Sequence, residues 1–439
     1  MITYPTSRPR TPRRVENLGG ALVLLPFAAY VLWWVLGVGD FIWIIAGALI
    51  AASWIGARGL RIPPVFILWV LFVAWAGVSL VMNDTPGRTV GAVYRLLLYA
   101  AAGILLVHTF NARRALPLQR VTGAMVWFLA GMTLVGYLAL AFPQVVIRTP
   151  MSWIMPRGLA SNQLIDEMII RRMAHWNPDA WIEQAVRPVA PFLYANTWGN
   201  VYSLVLPLAI LHLWLSWHSR YRWPTLLVIL SSVFPALSTL NRGMFVGLGV
   251  VFAWVLLQAL LRGRILLAVS GAAAGLAAVF AWAVSPWGEA LRTRVETTDS
   301  TVDRAQLYRS TFEAALQSPL VGYGSPRPAE DPWLPSLGTQ GQFWTVLYSH
   351  GVIGAVLFTG FLLGVFLLVM RRRDVVGAVL GGLILATVVE TVFYGMMTGI
   401  MVSMVVAALA LRPDTVVSSG DRRGRYARPS ARRRPPGRR

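Results

Sequence analysis

The chain contains no cysteine and no lysine. The first absence excludes a disulfide framework, a thiolate nucleophile and a cysteine-bound metal. The second excludes Schiff-base and lysine-nucleophile chemistry, and makes every strongly basic side chain an arginine. Charge is also scarce: 13% of residues are Asp, Glu, Arg or Lys, against about a quarter in soluble domains. The few His, Asp and Glu residues show no metal-ligand spacing, and no aspartate pair of the kind that holds a metal in nucleotide-sugar transferases occurs. Nucleophile-elbow and Ser-x-x-Lys patterns are missing. Gly322-x-Gly324 neither follows a strand nor opens a phosphate-cradling helix. No metal and no cofactor are therefore expected.

What is present is hydrophobic sequence: 56% of residues, with a mean hydropathy of +0.60. Such a balance suits a chain whose surface faces lipid. Apolar runs near 18–37, 40–57, 63–82, 89–110, 121–142 and 192–216, then 224–240, 243–261, 265–284, 341–369, 374–392 and 395–411, predict about twelve transmembrane helices. An all-α integral membrane protein follows, with both termini on one side. The short connections Arg58–Arg61, Asn111–Arg114, Ser219–Arg222, Arg262–Arg264 and Arg371–Arg373 each carry two or three arginines, so that side is predicted to be cytoplasmic. Asn83–Arg88 is a partial exception. The formal charge of +21 comes largely from two basic arms. Residues 1–17 and 412–439 are expected to be disordered, to touch anionic headgroups and not to bind nucleic acid. Between them, 18–411 reads as one polytopic domain in the bacterial cytoplasmic membrane.

Two stretches are too polar to cross and fall on the extracytoplasmic side. In 143–191, Ser161–Asn177 reads as an amphipathic helix, capped by Ser161 or Asn162 and suited to lying on headgroups. In 285–340, a helix opens near Thr301 or Asp303 and ends before Pro319, followed by Val321-Gly-Tyr-Gly-Ser-Pro. Long loops on a membrane scaffold often carry function. Gly243-x3-Gly247 and Gly360-x3-Gly364 fit close helix packing.

Ionisable groups within or against the bilayer need a reason to be there. Arg242 sits in Ser238-Thr-Leu-Asn-Arg-Gly, between two apolar runs with almost no loop. It either snorkels to headgroups or offers a bidentate fork to a phosphate. Arg304 begins the second outer helix, and His350 lies near the outer end of the tenth run. That histidine either packs through hydrogen bonds or serves as a general base. Arg95 and Glu390 are buried by this topology and are candidates for pairing with one another.

The order is an arginine between two helices, then an outer loop with an Arg-led helix and a Pro-Leu-Val-Gly-Tyr-Gly segment, then a histidine opening the tenth helix. This resembles the O-antigen ligase and O-antigen polymerase superfamily of bacterial membrane glycosyltransferases, through Ser238–Gly249, Arg304–Gly324 and Tyr348–Phe358. Tyr308 stands where the ligases often have leucine, Asn241 where serine is usual, and Gly360 only approximates a glycine set beyond the histidine. The resemblance implies a glycan donor on a polyprenyl diphosphate and an acceptor hydroxyl on a glycan or lipid, joined outside the membrane without metal. Carried over, Arg242 and Arg304 would hold the diphosphate and His350 would activate the acceptor. Arg95, Glu390 and Tyr308 would support them. Direct displacement would invert the anomeric centre. A polysaccharide polymerase would use the same donor, and a lipid-linked-glycan flippase would instead line a path with Arg95, Arg242 and Glu390. Trp333 and Trp344 could stack on sugar rings.

Overall fold

A computed structural model describes residues 13–55, 59–177, 185–297, 300–328 and 335–415. Trp333 and most of the two basic arms lie outside those residues. The chain is mostly helical. In order come α1 Arg13–Ala28, α2 Tyr30–Val35, α3 Ile42–Ser53, α4 Phe66–Ser79, α5 Pro86–Asn111 and α6 Leu118–Ala141. The 143–191 segment follows with β1 Val146–Arg148, α7 Met151–Ile154, α8 Arg157–Ala160, α9 Gln163–Ile169, β2 Ile170–Arg172, β3 Ala174–His175 and β4 Arg187–Pro188. Then come α10 Ala195–Leu215, α11 Arg222–Ser238, α12 Arg242–Leu260, α13 Ile265–Ala283, α14 Pro286–Thr297 and α15 Ser300–Gln317. The chain closes with α16 Gln342–Val369, α17 Val375–Glu390 and α18 Met397–Leu411.

Every expected apolar run carries a helix. Among the described residues six helices (α5, α6, α10, α12, α13 and α16) are long and apolar enough to cross a bilayer unaided. The other six apolar helical stretches are shorter, such as Ile42–Ser53 and Met397–Leu411.

The bundle has two unlike ends. At one, short arginine-bearing turns are tied together by backbone carbonyls. Arg412, 1% exposed, donates to the carbonyls of Thr109, Leu116 and Arg113 near the end of α5. Arg372 donates to the Ala410 carbonyl and pairs with Asp374. The last carbonyls of a helix lack intrahelical donors and attract cations, which explains the arginines. Arg412 also orders the chain to Thr415, three residues into the stretch expected to be a disordered tail, while α1 starts at Arg13, inside the expected N-terminal arm. At this same end Trp54 donates to His108, and Thr122 bonds His212, so both histidines are packing groups.

The other end carries both long segments. The helix expected over 161–177 is shorter: Asn162 caps α9 by accepting from Leu164 N, and the helix gives way at Ile170 to β2. That strand pairs antiparallel with β1, Val146 opposite Arg172. Successive strand residues face opposite sides, and this turns Arg171 inward. Its guanidinium, 2% exposed, meets the buried Asp40 at 2.6 Å. The 143–191 segment is therefore bolted to the α2–α3 turn.

Small residues set the closest helix contacts. A Cβ on Gly247 of α12 would overlap the Glu390 carboxylate of α17, and one on Gly243 would overlap Phe393 and Tyr394. Of the second glycine pair, Gly364 abuts Val65 while Gly360 has room.

Replacing Arg171 by methionine strands a buried carboxylate, which typically costs about 3–5 kcal/mol. Thermal unfolding of the detergent-solubilised protein should show a lower Tm for Arg171→Met. Adding Asp40→Asn should recover part of the loss. A single variant as stable as the wild type would show that the pair does not anchor the segment.

Candidate functional site

The loop-rich end owes its geometry to a break in α16. Gly351 has φ 67° and ψ −172° inside an otherwise continuous helix. The left-handed φ suits glycine alone among common residues. Such a break releases backbone groups that the helix would have paired, and in apolar surroundings each needs another partner. The 318–325 segment supplies most of them. Tyr323 N donates to Tyr348 O at 2.9 Å, Gly324 N to Ser349 O at 2.8 Å, and Val352 N to Pro319 O at 2.7 Å. Trp75 of α4 donates to the His350 carbonyl at 2.9 Å. The Pro-Leu-Val-Gly-Tyr-Gly sequence therefore acts as a splint on the broken helix. Its glycines allow the approach: a Cβ on Gly322 would overlap the backbone of Tyr348–His350.

A second layer holds the splint. Arg88 donates to the carbonyls of Tyr323, Ser325 and Pro326 and pairs with Asp84. That hydrogen bond holds the Asp84 carboxyl below its ordinary range. Asp84 also meets Arg327 at 3.3 Å, and Arg327 lies over the Tyr323 ring, which stacks on Tyr348. The Asn83–Arg88 turn thus gives its arginine a structural task.

His350, at the break, is 5% exposed, and its Nδ1 has no hydrogen-bond partner among the described residues. Its ring lies edge-on to Phe72 and Tyr99, with centroids 6.0 and 6.2 Å away. A buried ring nitrogen left unpaired costs about 1–3 kcal/mol, and such exceptions call for an explanation. Arg95, one turn before Tyr99 on α5, is close enough for its charge to act on Tyr99, Tyr94, Tyr194 and His350.

Arg242 and Arg304 lie in a neighbouring cluster. Leu240 takes a positive φ of 49°, and Asn241 next to it is buried. Asn241 donates to the Ala195 carbonyl and accepts from the Tyr394 hydroxyl. This fixes the start of α12 and leaves Arg242 exposed at its first residue. Arg304 and Arg187 both act electrostatically on Tyr394. Arg187 Nε donates to the Thr239 carbonyl at 2.8 Å. Tyr308 is held by the Gln340 carbonyl and stacks on Trp344 at 4.8 Å, and burial raises its hydroxyl above the ordinary value. Gln342 joins the two clusters, donating from its side chain to Tyr99 Oη at 2.8 Å and from its backbone to Tyr394 O at 2.7 Å.

Arg95 and Glu390 do not pair. The fully buried Glu390 accepts from Asn200 at 2.6 Å and Ser203 at 2.5 Å. Those two amphipathic donors on α10 reach it across the gap that Gly247 leaves, so no cation is needed. Sequence reasoning missed Arg187, Gln342, Tyr394 and Tyr99. No spacing announces them, because they come from four different elements. Only the unusual Asn241 hinted at a partner. Among the described residues no three His, Asp or Glu side chains come together.

Residues 226–359 match the Wzy_C family model, O-antigen ligase. The match supports the resemblance to the O-antigen ligase superfamily. It takes in Arg242, Arg304, Tyr308, the splint and His350, and leaves Arg95 and Glu390 outside. No curated protein matches the chain.

Gly351→Ala should disorganise the site. A Cβ there would overlap the Leu320 carbonyl, and the left-handed φ alone costs on the order of 1 kcal/mol or more. Hydrogen exchange across 318–325 should quicken in that variant. Unchanged protection would show that the splint does not depend on the break.

Proposed function

We propose that the chain is a glycosyltransferase moving a glycan from a polyprenyl diphosphate to an acceptor hydroxyl, in the manner of an O-antigen ligase. One observation carries the reading. In the family-matching stretch, Asn241 beside Arg242 is linked through Tyr394, Gln342 and Tyr99 to His350, whose buried Nδ1 has no partner among the described residues, and Arg304 acts on the same Tyr394.

Diphosphate departure builds negative charge on the leaving oxygens. Guanidiniums already in place stabilise such charge without reorganisation, and their planar fork suits phosphate. The first turn of α12 adds free backbone N–H groups and the positive end of its dipole. His350 takes the proton as the acceptor oxygen attacks the anomeric carbon and the diphosphate leaves, so one bond forms as the other breaks and the configuration inverts. Its aromatic surroundings exclude water, which would otherwise hydrolyse the donor. Tyr308 and Trp344 form a half-buried stacked pair that could offer an edge to a sugar face, and Tyr308 holds the 335–340 return through the Gln340 carbonyl.

The arginines at the short-loop end suit the cytoplasmic face by the positive-inside rule. Twelve crossings then put the site outside, in the bacterial cytoplasmic membrane. Polysaccharide polymerisation from the same donor is the second reading. It is favoured by Arg187, through which the 143–191 segment reaches the diphosphate cluster. A flippase is disfavoured, because Glu390 is sealed by Asn200 and Ser203 rather than lining a path.

Purified protein, polyprenyl-diphosphate-linked glycan and candidate acceptors should give transfer in the presence of chelator. His350→Ala should lose about 10²- to 10⁴-fold in rate, as general-base removal does. Arg304→Ala should lose comparably and not recover with excess acceptor. Retained configuration in the product, or an active His350→Ala enzyme, would sink the displacement mechanism.

A further inference from the structure

One face of α5 lines a groove that the reaction as described leaves unused. Ile44 and Ile45 of α3 face Val93 and Leu97 of α5, with Ile165 and Met168 of α9 closing the loop-rich end. The groove holds about 330 Å³, its lining is mostly apolar with Tyr94 and Asn162 at its edge, and Ile45, Val93 and Leu97 are exposed along it. That volume is near the lower end for ligand sites. It suits one hydrocarbon chain and not the bundle of chains on a multiply acylated lipid.

The groove stops at a notch. Gly91 lines it and has no side chain, and Arg95 Nη1 lies 3.6 Å from where a Cβ on Gly91 would stand. Arg95 donates no hydrogen bond and meets no carboxylate among the described residues; the groups acting on it are tyrosines. A partly buried cation without a counter-charge is costly unless an anion is supplied. From that point Tyr99, one turn on, leads to His350. Gln342 links Tyr99 in turn to Tyr394, on which Arg304 acts.

We propose that the α3–α5 groove binds the acceptor's own carrier, a single-chain isoprenoid phosphate, with Arg95 on its phosphate. This rests on the transferase reading and deepens it. The donor and the acceptor then approach His350 from opposite sides, each on its own lipid phosphate, and the acceptor is a lipid-linked glycan. The Gly91 notch lets the headgroup pass from the chain-binding face of α5 to the face that carries Tyr99.

The test uses the full chain in lipid nanodiscs with a photoreactive isoprenoid phosphate that carries no glycan, the cross-linked residues being read by mass spectrometry. Label is expected within 41–45 and 90–97. Arg95→Gln should lower it about tenfold, the loss of one charge-assisted contact. Leu97→Trp, a change on a lipid-facing surface, should block it by filling the groove. An excess of phosphatidylglycerol should not compete. Label spread around the bundle, full competition by phosphatidylglycerol, or labelling unchanged in both variants would overturn the proposal and show an ordinary annular lipid. Because the probe bears no sugar, its capture is independent of transfer. Specific labelling in a protein that transfers no glycan would sink the transferase and keep the lipid site.

Discussion

The loop-rich end depends on one constraint: a backbone broken in apolar surroundings must find new hydrogen-bond partners for every group it frees. The break at Gly351 frees the carbonyls of Tyr348, Ser349 and His350 and the N–H of Val352. All four are taken, three by the 318–325 segment and one by Trp75. Each such bond is worth about 0.5–1.5 kcal/mol net, and more when the alternative is an unpaired group away from water. The splint therefore cannot leave without exposing the break, and the break cannot heal while Gly322 and Gly324 hold the splint against it. His350 is positioned by this mutual dependence, since its own ring makes few polar contacts. The arginines at 88 and 327 act one layer out by holding the splint's carbonyls and ring.

Arginine does structural work here and, on the proposed reading, chemical work as well. Arg171, Arg412, Arg372 and Arg88 end on carboxylates or on carbonyls at chain turns. They fasten segments to the bundle in the way an unpaired lysine ammonium would not, since a planar fork reaches two or three acceptors at once. Arg95, Arg242 and Arg304 are the ones that the proposed transfer would use on phosphate. A chain with no lysine must use the same side chain for both tasks, so residue type alone could not sort them.

Much of the fold was legible. Hydrophobic runs located every apolar helix, six of them long enough to cross a bilayer unaided. The order Arg242, Arg304, Pro319–Gly324, His350 was readable as a family resemblance because those residues lie in one continuous stretch, inside the 226–359 match. The unreadable parts were long-range. Nothing local tells Ile170 to leave a helix; it does so because Arg171 must face Asp40, 131 positions away. Nothing local tells Arg187 that Thr239 offers a carbonyl. The Arg95–Glu390 pairing failed for a related reason: two buried charges invite each other on paper, yet Gly247 opens a path by which neutral donors reach the carboxylate first.

On the proposed transferase reading, a base at the helix break would help direct a reaction that has no metal to gather its parts. A metal collects donor, acceptor and leaving group through its own coordination sphere. On that reading the collecting would fall to fixed side chains, and these tolerate little error, since misplacement by about 1 Å costs rate steeply. Loops alone would not hold such tolerance. Helix ends do: Arg242 is the first residue of α12, Arg304 is in the first turns of α15, and His350 ends the first stretch of α16. Each is carried on a rigid rod and aimed by what locks that rod's end, Asn241 and Tyr394 for the first, the Tyr308–Trp344 stack for the second, the splint for the third. Gln342, bonded to both Tyr99 and the Tyr394 carbonyl, couples the rods. The placement of His350 relative to the two guanidiniums therefore depends on the bundle end as a whole.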